Sequence, residues 1–117
     1  MNLSEARSFL SRTVSKTRYA ARVERNLEFA IDTDYIMNLL AAQNGLCALT
    51  GWPLEFTRGG TWDGKNPRGA TMDRIDNNKG YIPGNIQLVC GMPNNVRNKL
   101  SLSEFKELCK AVAKNAV

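Results

Sequence analysis

Histidine is absent from this chain of 117 residues. Its absence excludes a Ser-His-Asp or Cys-His nucleophile, a histidine general base and a histidine-rich metal site. The cysteines, Cys47, Cys90 and Cys109, are too few for a disulfide scaffold and cannot supply the four ligands of a structural zinc ion. We therefore expect a reducing environment and no zinc, while a hard cation such as Mg²⁺, which prefers oxygen ligands, stays compatible with the composition.

Long apolar runs are missing as well. No apolar stretch approaches the roughly 20 residues that span a bilayer, and no apolar region follows the N-terminal basic residues as it does in a secretory signal. A hydrophobic fraction of 43% and a charged fraction of 23% are typical of a globular protein, and the length suits one compact domain. These features predict a folded protein without a membrane partner.

Positive charge, in contrast, is abundant, because 16 Lys and Arg residues oppose 11 Asp and Glu residues. Residues 1–26 are predicted to form one amphipathic helix capped by Ser4, and residues 1–30 a basic helical arm that contacts phosphates. A solvated helix face explains the same charge run about equally well. The basic residues of the predicted arm are Arg7, Arg12, Lys16, Arg18, Arg22 and Arg25.

The rest of the chain alternates between periodic segments and turn signals. In chain order the pattern predicts a helix from Asp32 or Thr33 to Gly45, then within 46–54 a short apolar strand, a Thr-Gly turn and a Pro suited to a strand edge. It further predicts a loop at 57–69, strands at 70–75 and 86–90 around a turn at 76–80, and a short helix at 94–99. A capping box at Ser101 and Glu104 starts a last helix. Its expected buried residues are Phe105, Leu108, Cys109 and Val112.

One segment carries a more specific pattern. Residues 72–90 read MDRIDNNKGYIPGNIQLVC, and Asn94 and Arg97 follow. This arrangement resembles the HNH endonucleases, in which a strand with Asp-His, a Lys/Gly turn, a Gly-Asn strand start and a Cys-x₃-Asn-x₂-Lys helix come in that order. Asp73, Asn85 and Cys90 occupy the earlier positions. Segment 43–51 resembles the part with which that domain begins, and segment 100–110 resembles its last helix, so the resemblance covers about residues 33–112.

The resemblance implies an α+β fold with a ββα-metal core, which consists of a short β-hairpin, a loop and a helix, framed by N- and C-terminal helices. Residues 31–117 would form this HNH-like domain. The implied function is a metal-dependent endonuclease that nicks or cleaves DNA phosphodiester bonds. Such a protein would be encoded by a phage or mobile element and would act in the cytoplasm of the bacterial host.

The chemistry assigns roles to the matched residues. Asp73 at a strand end and Asn94 on the facing helix would hold Mg²⁺ or Mn²⁺ and leave positions for phosphate oxygens and water. Asn85 would hold the intervening loop through bonds to backbone groups. Arg74 and Arg97 would contact phosphate. Taken singly, these residues also have simpler explanations: a surface ion pair for Asp73, a turn for Asn85 and a helix cap for Asn94.

Two departures from the family pattern matter. Arg74 stands where the family has its histidine base, and a guanidinium with a pKa above ~12 cannot accept a proton near neutrality. Either a metal-bound water loses its proton unaided, or Asp76 accepts it, or the site does not cut. Thr50 and Pro93 replace the second cysteine of each zinc knuckle, so packing must replace zinc. The predicted catalytic set is Asp73, Arg74, Asp76, Asn85 and Asn94.

Two further functions compete with a nuclease. A catalytically inactive module would bind DNA, or less favourably RNA, and a host-protein-binding module would use Trp52 and Trp62 as anchors. For Trp52, packing in the core beside Pro53 is the favoured alternative. The predicted nucleic-acid contacts are Arg7, Arg12, Lys16, Arg18, Arg22, Arg25, Arg58, Lys65, Arg68, Lys79, Arg97 and Lys99.

Overall fold

The structure is a computed structural model that describes residues 2–57 and 66–116. In these residues the chain forms four α-helices and one two-stranded antiparallel sheet, which is the predicted α+β class. The elements in chain order are α1 (Leu3–Tyr19), α2 (Thr33–Ala42), β1 (Ala70–Arg74), β2 (Ile86–Cys90), α3 (Gly91–Arg97) and α4 (Leu102–Asn115).

Helix α1 starts two residues earlier than a Ser4 cap predicts. The side chain of Asn2 accepts a hydrogen bond from the Glu5 amide at 3.1 Å and caps the helix. The helix buries a stripe at positions 6, 9, 10 and 14, the spacing that places side chains on one face. A π-helical turn, Ala20–Glu24, follows directly and ends the helical run within the predicted range.

The buried face of α1 belongs to the main hydrophobic core, so the predicted division at residue 30 into an arm and a domain is wrong. Phe9 and Leu10 are buried in the same cluster as Ile36 of α2 and Leu88 of β2. Burial of apolar side chains is the main stabilising contribution to a domain of this size, and α1 supplies part of it. Only the outer face of α1 is available to carry the basic residues.

The segment after the π-helical turn pairs with the far end of the hairpin loop. The Tyr81 amide donates to the Glu28 carbonyl and the Ala30 amide donates to the Tyr81 carbonyl, both at 2.8 Å. At Gly80 a β-carbon would lie 2.4 Å from the Glu28 carbonyl oxygen, so only glycine permits this approach. Residues 28–30 and the loop are thus held as one unit.

The signals that predicted α2 are confirmed. Asp32 is its cap and accepts a hydrogen bond from the Tyr35 amide at 2.8 Å. After the helix, Gly45 adopts a φ of +71°, which favours glycine. Ile36 and Leu40 are buried, as their spacing predicts.

Within 46–54 the predicted Thr-Gly turn is confirmed, but the predicted short strand is wrong, because a single bridge between Leu46 and Pro53 takes its place. Gly51 reverses the chain with a φ of +75°. The Gln43 side chain takes the place of a third strand: its amide accepts from the Leu88 amide at 2.9 Å and donates to the Leu88 carbonyl at 2.9 Å. One side chain therefore satisfies backbone groups that a neighbouring strand would otherwise pair.

Strands β1 and β2 form a hairpin whose register pairs Thr71 with Val89 and Asp73 with Gln87. Helix α3 begins directly after β2 with Cys90 as its cap, earlier than the predicted start at residue 94. The capping box that begins α4 is confirmed by two bonds between Ser101 and Glu104, at 2.9 and 3.1 Å.

Helix α4 is bound to the molecule less extensively than its pattern predicts. Phe105 is buried, but Leu108 and Val112 are 46% and 57% exposed, and Cys109 is exposed as well. The predicted burial of these last three residues is wrong. Across residues 2–57 and 66–116, no helix combines the length and apolarity that a membrane crossing requires.

Candidate active site

Helix α3 packs on one face of the hairpin. One predicted metal ligand, Asp73, lies on strand β1, and the other, Asn94, lies on α3. Thr71 and Asp73 lie two residues apart on β1 and therefore point to the same face. From α3, the Asn94 amide donates to the Thr71 hydroxyl at 3.1 Å, and Arg97 donates to the Asp73 carboxylate at 2.6 Å. Asp73 and Asn94 therefore lie on the two elements, β1 and α3, that pack against each other through these bonds.

Asp73 is buried, and only 6% of its surface is exposed. Its Oδ2 accepts two hydrogen bonds, from Arg97 and from the Gln87 side-chain amide at 2.8 Å. Oδ1 receives no hydrogen bond from the part of the chain that the structure describes. The surface ion pair that offered a simpler explanation of Asp73 is therefore not what the structure contains, and one carboxylate oxygen stays available.

Arg97 is the most deeply buried charged side chain of the described residues, and it is 1% exposed. Besides Asp73, its guanidinium donates to the carbonyls of Arg74 at 3.1 Å, Ile75 at 3.0 Å and Leu100 at 3.1 Å. The predicted phosphate contact of Arg97 is wrong, because its donors are directed inward. The residue instead ties the end of β1 to α3 and to the segment that follows it.

The loop between the strands is held by Asn85, whose predicted bonds to backbone groups are present. Its Oδ1 accepts from the Asp76 amide at 2.8 Å, and its Nδ2 donates to the carbonyls of Asp76 at 3.1 Å and Gly80 at 2.9 Å. Asp76 in turn accepts from the Asn78 amide at 2.9 Å. One buried amide thus closes the loop, which agrees with its near-complete burial.

Arg74 supports the same loop from outside. Its Nη1 donates to the carbonyls of Asn77 and Lys79, each at 2.9 Å, and its guanidinium carbon lies 5.5 Å from the centre of the Tyr81 ring. The side chain is half-buried, and these contacts fix its direction. In this position Arg74 links the loop carbonyls to the end of β1.

Asn94 lies inside α3, four residues beyond the Cys90 cap, so the helix-cap explanation does not apply to it. Its Nδ2 is committed to Thr71, while its Oδ1 receives no hydrogen bond from the described residues. Gln87 and Thr71, which orient Asp73 and Asn94, were not predicted. Gln87 is polar in the otherwise apolar strand β2, and that contrast is a signal that could have identified it, whereas Thr71 lies in a strand that also contains Asp73 and Arg74.

Cys47 and Cys90 lie against each other behind the site. The Cys90 amide donates to the Cys47 sulfur at 3.2 Å. Burial raises the pKa of Cys47, but hydrogen bonds from the Thr50 hydroxyl and from backbone amides outweigh burial and lower this pKa overall. Burial, together with the neighbouring Cys47, raises the pKa of Cys90 to about 12. Among the described residues, no three His, Cys, Asp or Glu side chains gather as metal ligands.

The predicted nucleic-acid contacts are distributed over several surfaces. Arg7 pairs with Asp34 at 2.8 Å, and the Arg68 guanidinium lies 4.1 Å from the centre of the half-buried Trp52 ring. Arg18 lies over the Phe29 ring. The other predicted contacts on the described surface, Arg12, Lys16, Arg22, Arg25, Lys79 and Lys99, are exposed like Arg7. Arg58, Lys65 and the predicted anchor Trp62 lie outside the described residues.

Comparison with known proteins gives two viral relatives in sequence. No protein-family model matches the chain. An uncharacterized 29.0 kDa protein encoded in the dda-modA intergenic region of Enterobacteria phage T4 is 31% identical over 98 residues. An uncharacterized protein of Acanthamoeba polyphaga mimivirus is 43% identical over 42 residues. These matches cover 84% and 36% of this chain but only 36% and 8% of the respective relatives.

Comparison with solved structures identifies the fold. The chain is similar to the rare-cutting HNH restriction endonuclease PacI, with a TM-score of 0.63 and 21% identity. The match covers 88% of this chain and 75% of that one. This chain therefore has an HNH-like fold, and the hairpin with α3 forms its ββα core.

Proposed function

We propose that the chain is a metal-dependent endonuclease that nicks or cleaves DNA in a bacterial cytoplasm and is encoded by a phage or mobile element. The observation that supports the proposal is the packing of α3, which carries Asn94, on β1, which carries Asp73, through the Asn94–Thr71 and Arg97–Asp73 bonds of an HNH-like fold. The phage relative supports the proposed source. DNA is the favoured substrate because the similar solved structure is a restriction endonuclease.

The residues present fit a hard divalent cation. Asp73 offers a carboxylate oxygen and Asn94 an amide oxygen, and neither accepts a hydrogen bond from the described residues. Mg²⁺ is commonly held by one or two carboxylates together with waters and substrate phosphates, so a protein donor set of this size is sufficient. A bound Mg²⁺ or Mn²⁺ would neutralise charge on the phosphate and acidify a water molecule.

The surrounding residues position this pair of oxygens. Arg97 and Gln87 both hold Oδ2 of Asp73, which directs the other oxygen away from them. Thr71 accepts from the Asn94 amide nitrogen and so orients the amide oxygen. Asn85 fixes the loop that follows β1. Preorganised groups of this kind lose little free energy to rearrangement when a phosphate arrives.

The proton acceptor stays open between two candidates. The Arg74 guanidinium cannot accept the proton, and the first candidate is Asp76, which is half-buried at the start of the loop and is the carboxylate that lies closest in sequence to Asp73. The other candidate is a metal-bound water that loses its proton to solvent. Since removal of a dedicated base typically costs ~10²–10⁴ in rate, we expect slow cleavage.

Supercoiled plasmid DNA tests the proposal in the presence of Mg²⁺ or Mn²⁺. The wild type should convert plasmid to the nicked or linear form, and Asp73→Asn and Asn94→Ala should not. Asp34→Asn, which changes an exposed carboxylate outside the site, is the matched control and should cut like the wild type. If every protein leaves the plasmid intact, or all cut equally, the proposal fails. A Mn²⁺-soaked crystal should show an anomalous peak between Asp73 and Asn94.

A second function, nucleic-acid binding without cleavage, is favoured by one contact. The Asp73 carboxylate already has a cation partner in Arg97, so the fold needs no metal to balance this buried charge. This alternative predicts equal DNA affinity with and without metal, a steep salt dependence and no nicking. Binding of a host protein is the third possibility, and capture of a partner that resists nuclease treatment would favour it.

A further inference from the structure

A second concave site lies outside the ββα core. It is a cavity of about 460 Å³ bordered by α1, the π-helical turn, the segment at 29–32 and the first turn of α2. Arg18, Arg22, Phe29, Asp32 and Tyr35 are among the residues that line it. The volume is within the range of about 300–1,000 Å³ that is typical of small-ligand sites. We refer to it as the Arg18–Arg22 cavity.

Both arginines retain unused donors. The Arg22 guanidinium donates from Nη2 to the Phe29 carbonyl at 3.1 Å, which fixes its position at the cavity wall. The Arg18 guanidinium lies 5.5 Å from the centre of the Phe29 ring and donates no hydrogen bond to the described residues. Since each guanidinium carries five N–H donors, most of the donors in the cavity lack a protein acceptor.

The charge of the cavity is also unbalanced. The acidic residue that lines it, Asp32, forms no ion pair with either arginine, and its Oδ1 accepts the Tyr35 amide hydrogen at the start of α2. The ion pairs within residues 2–57 and 66–116 are Arg7 with Asp34 and Arg97 with Asp73. Two unpaired cations therefore oppose one carboxylate that already has a structural role.

We propose that the Arg18–Arg22 cavity binds a phosphate group. Paired guanidinium groups match the acceptor geometry of phosphate oxygens, and charge-assisted bonds of this type are stronger than neutral ones. The phosphate can belong to a nucleic-acid backbone or to a free nucleotide. In its nucleic-acid form the inference rests on the proposed function, because it assigns the cavity to a part of the DNA away from the cleaved bond.

The cavity wall is bonded directly to the hairpin loop. The Tyr35 hydroxyl accepts from the Gly84 amide at 2.9 Å, next to Asn85, and Ala30 donates to Tyr81. The longest dimension of the molecule is 42 Å, which equals about 12 base-pair steps of 3.4 Å. A duplex of that length spans the molecule, and simultaneous contact with the cavity and the ββα core is part of this proposal.

Charge-matched variants test the site. Arg18→Gln with Arg22→Gln removes two cations from the cavity, and Lys106→Gln with Lys110→Gln removes two exposed cations from α4. Arg18→Gln alone is the safeguard against misfolding, because Arg18 makes no hydrogen bond in the described structure. Inorganic phosphate and deoxyadenosine monophosphate are titrated while amide NMR shifts are recorded, and the affinity for a DNA duplex is measured at several salt concentrations.

Both phosphate probes should shift the amides of residues 29–32 in the wild type and in the lysine control but not in the arginine variants. Duplex affinity should fall about tenfold in the double arginine variant, with a salt slope smaller by about 2, and by less in the control. Phosphate binding without duplex binding assigns the cavity to free nucleotides and contradicts the proposed nuclease. Absence of shifts at 29–32, or equal losses in the control, overturns the cavity proposal even if Asp73-dependent cleavage is observed.

Discussion

The described residues contain two ion pairs of the same chemical type in opposite environments. Arg7 and Asp34 join α1 to α2 at 2.8 Å, with side chains that are 53% and 75% exposed. Arg97 and Asp73 join α3 to β1 at 2.6 Å, with side chains that are 1% and 7% exposed. The two charges of the exposed pair stay hydrated whether or not they are paired, so little free energy changes when the pair forms. The buried pair is surrounded by carbonyl and amide groups that bond to the Arg97 guanidinium and to Oδ2 of Asp73.

The difference shows that an ion pair takes its significance from its surroundings rather than from its length. A buried charge that loses its partner cannot recover its hydration, whereas an exposed one can. In this molecule the buried pair also fixes a proposed metal ligand. The following predictions run from the largest expected effect to the smallest, and each compares a change at the buried network with a change outside it.

Loss of the Arg97 guanidinium should have the largest effect. Arg97→Met leaves the Asp73 carboxylate buried without a charge partner and frees three carbonyls, so the free energy of unfolding should fall by about 3–5 kcal/mol. Urea denaturation followed by circular dichroism measures the change. Arg97→Lys keeps the charge but not the fork of donors and should give an intermediate loss. A loss below about 1 kcal/mol for Arg97→Met would show that the two ion pairs are equivalent.

Asn85→Ala should come second, because it removes one buried acceptor and two donor bonds that close the hairpin loop. Buried polar groups left without partners cost about 1–3 kcal/mol, and the free energy of unfolding should fall by that amount. The exposed Asn95 next to Asn94 provides the control, since Asn95→Ala should change stability by about 0.5 kcal/mol or less. Equal effects of the two substitutions would mean that the loop is not held by Asn85.

The capping box of α4 should give a smaller loss. Ser101→Ala removes one of the two reciprocal bonds and should cost about 1 kcal/mol. Hydrogen bonds from the Ser101 backbone and side chain lower the pKa of Glu104. The Glu104 contribution should therefore be complete above the unfolded pKa, near 4.5, and be lost as pH falls through the lowered folded pKa. The difference in melting temperature between wild type and Glu104→Ala should shrink on acidification, and a constant difference would contradict this.

The exposed ion pair should give the smallest effect. Arg7→Ala should lower the free energy of unfolding by less than about 1 kcal/mol, and the loss should decrease as salt rises from 0.05 to about 0.5 M, because salt screens exposed charges. Thermal unfolding at several salt concentrations measures it. An effect as large as that of Arg97→Met would remove the distinction between the two environments.

Local signals predicted much of the fold. The hairpin, helix α2, its Asp32 cap and the capping box of α4 follow from alternation, helical spacing and cap residues, which act over a few positions. The strand predicted in 46–54 is absent, and beside β2 the Gln43 side chain bonds to Leu88 instead. This contact joins residues 45 positions apart in sequence, so no local pattern indicates it. The predicted burial of the apolar residues of α4 fails for a similar reason, since a helical stripe of apolar residues does not reveal whether a neighbouring element covers it.

The candidate site divides in the same way. Asp73, Asn85 and Asn94 were identified by their order in the chain, and the bonds of Asn85 could be predicted because they join groups that are close in sequence. The inward direction of the Arg97 side chain could not be predicted from the sequence, because its three carbonyl partners come together only when α3 packs on β1. A charged side chain in a basic protein is usually exposed, so the burial of this one is a tertiary effect.

The close approach of Gly80 to Glu28 has a practical consequence for attempts to shorten the protein. A fragment that begins at residue 31 would lack both backbone partners of Tyr81 and one side of the cavity at Arg18 and Arg22. Its hairpin loop would lie open along the edge where residues 28–30 now run, with an amide and a carbonyl turned to solvent. We therefore expect a fragment of this HNH-like fold to need residues from α1 onward in order to keep the hairpin loop paired.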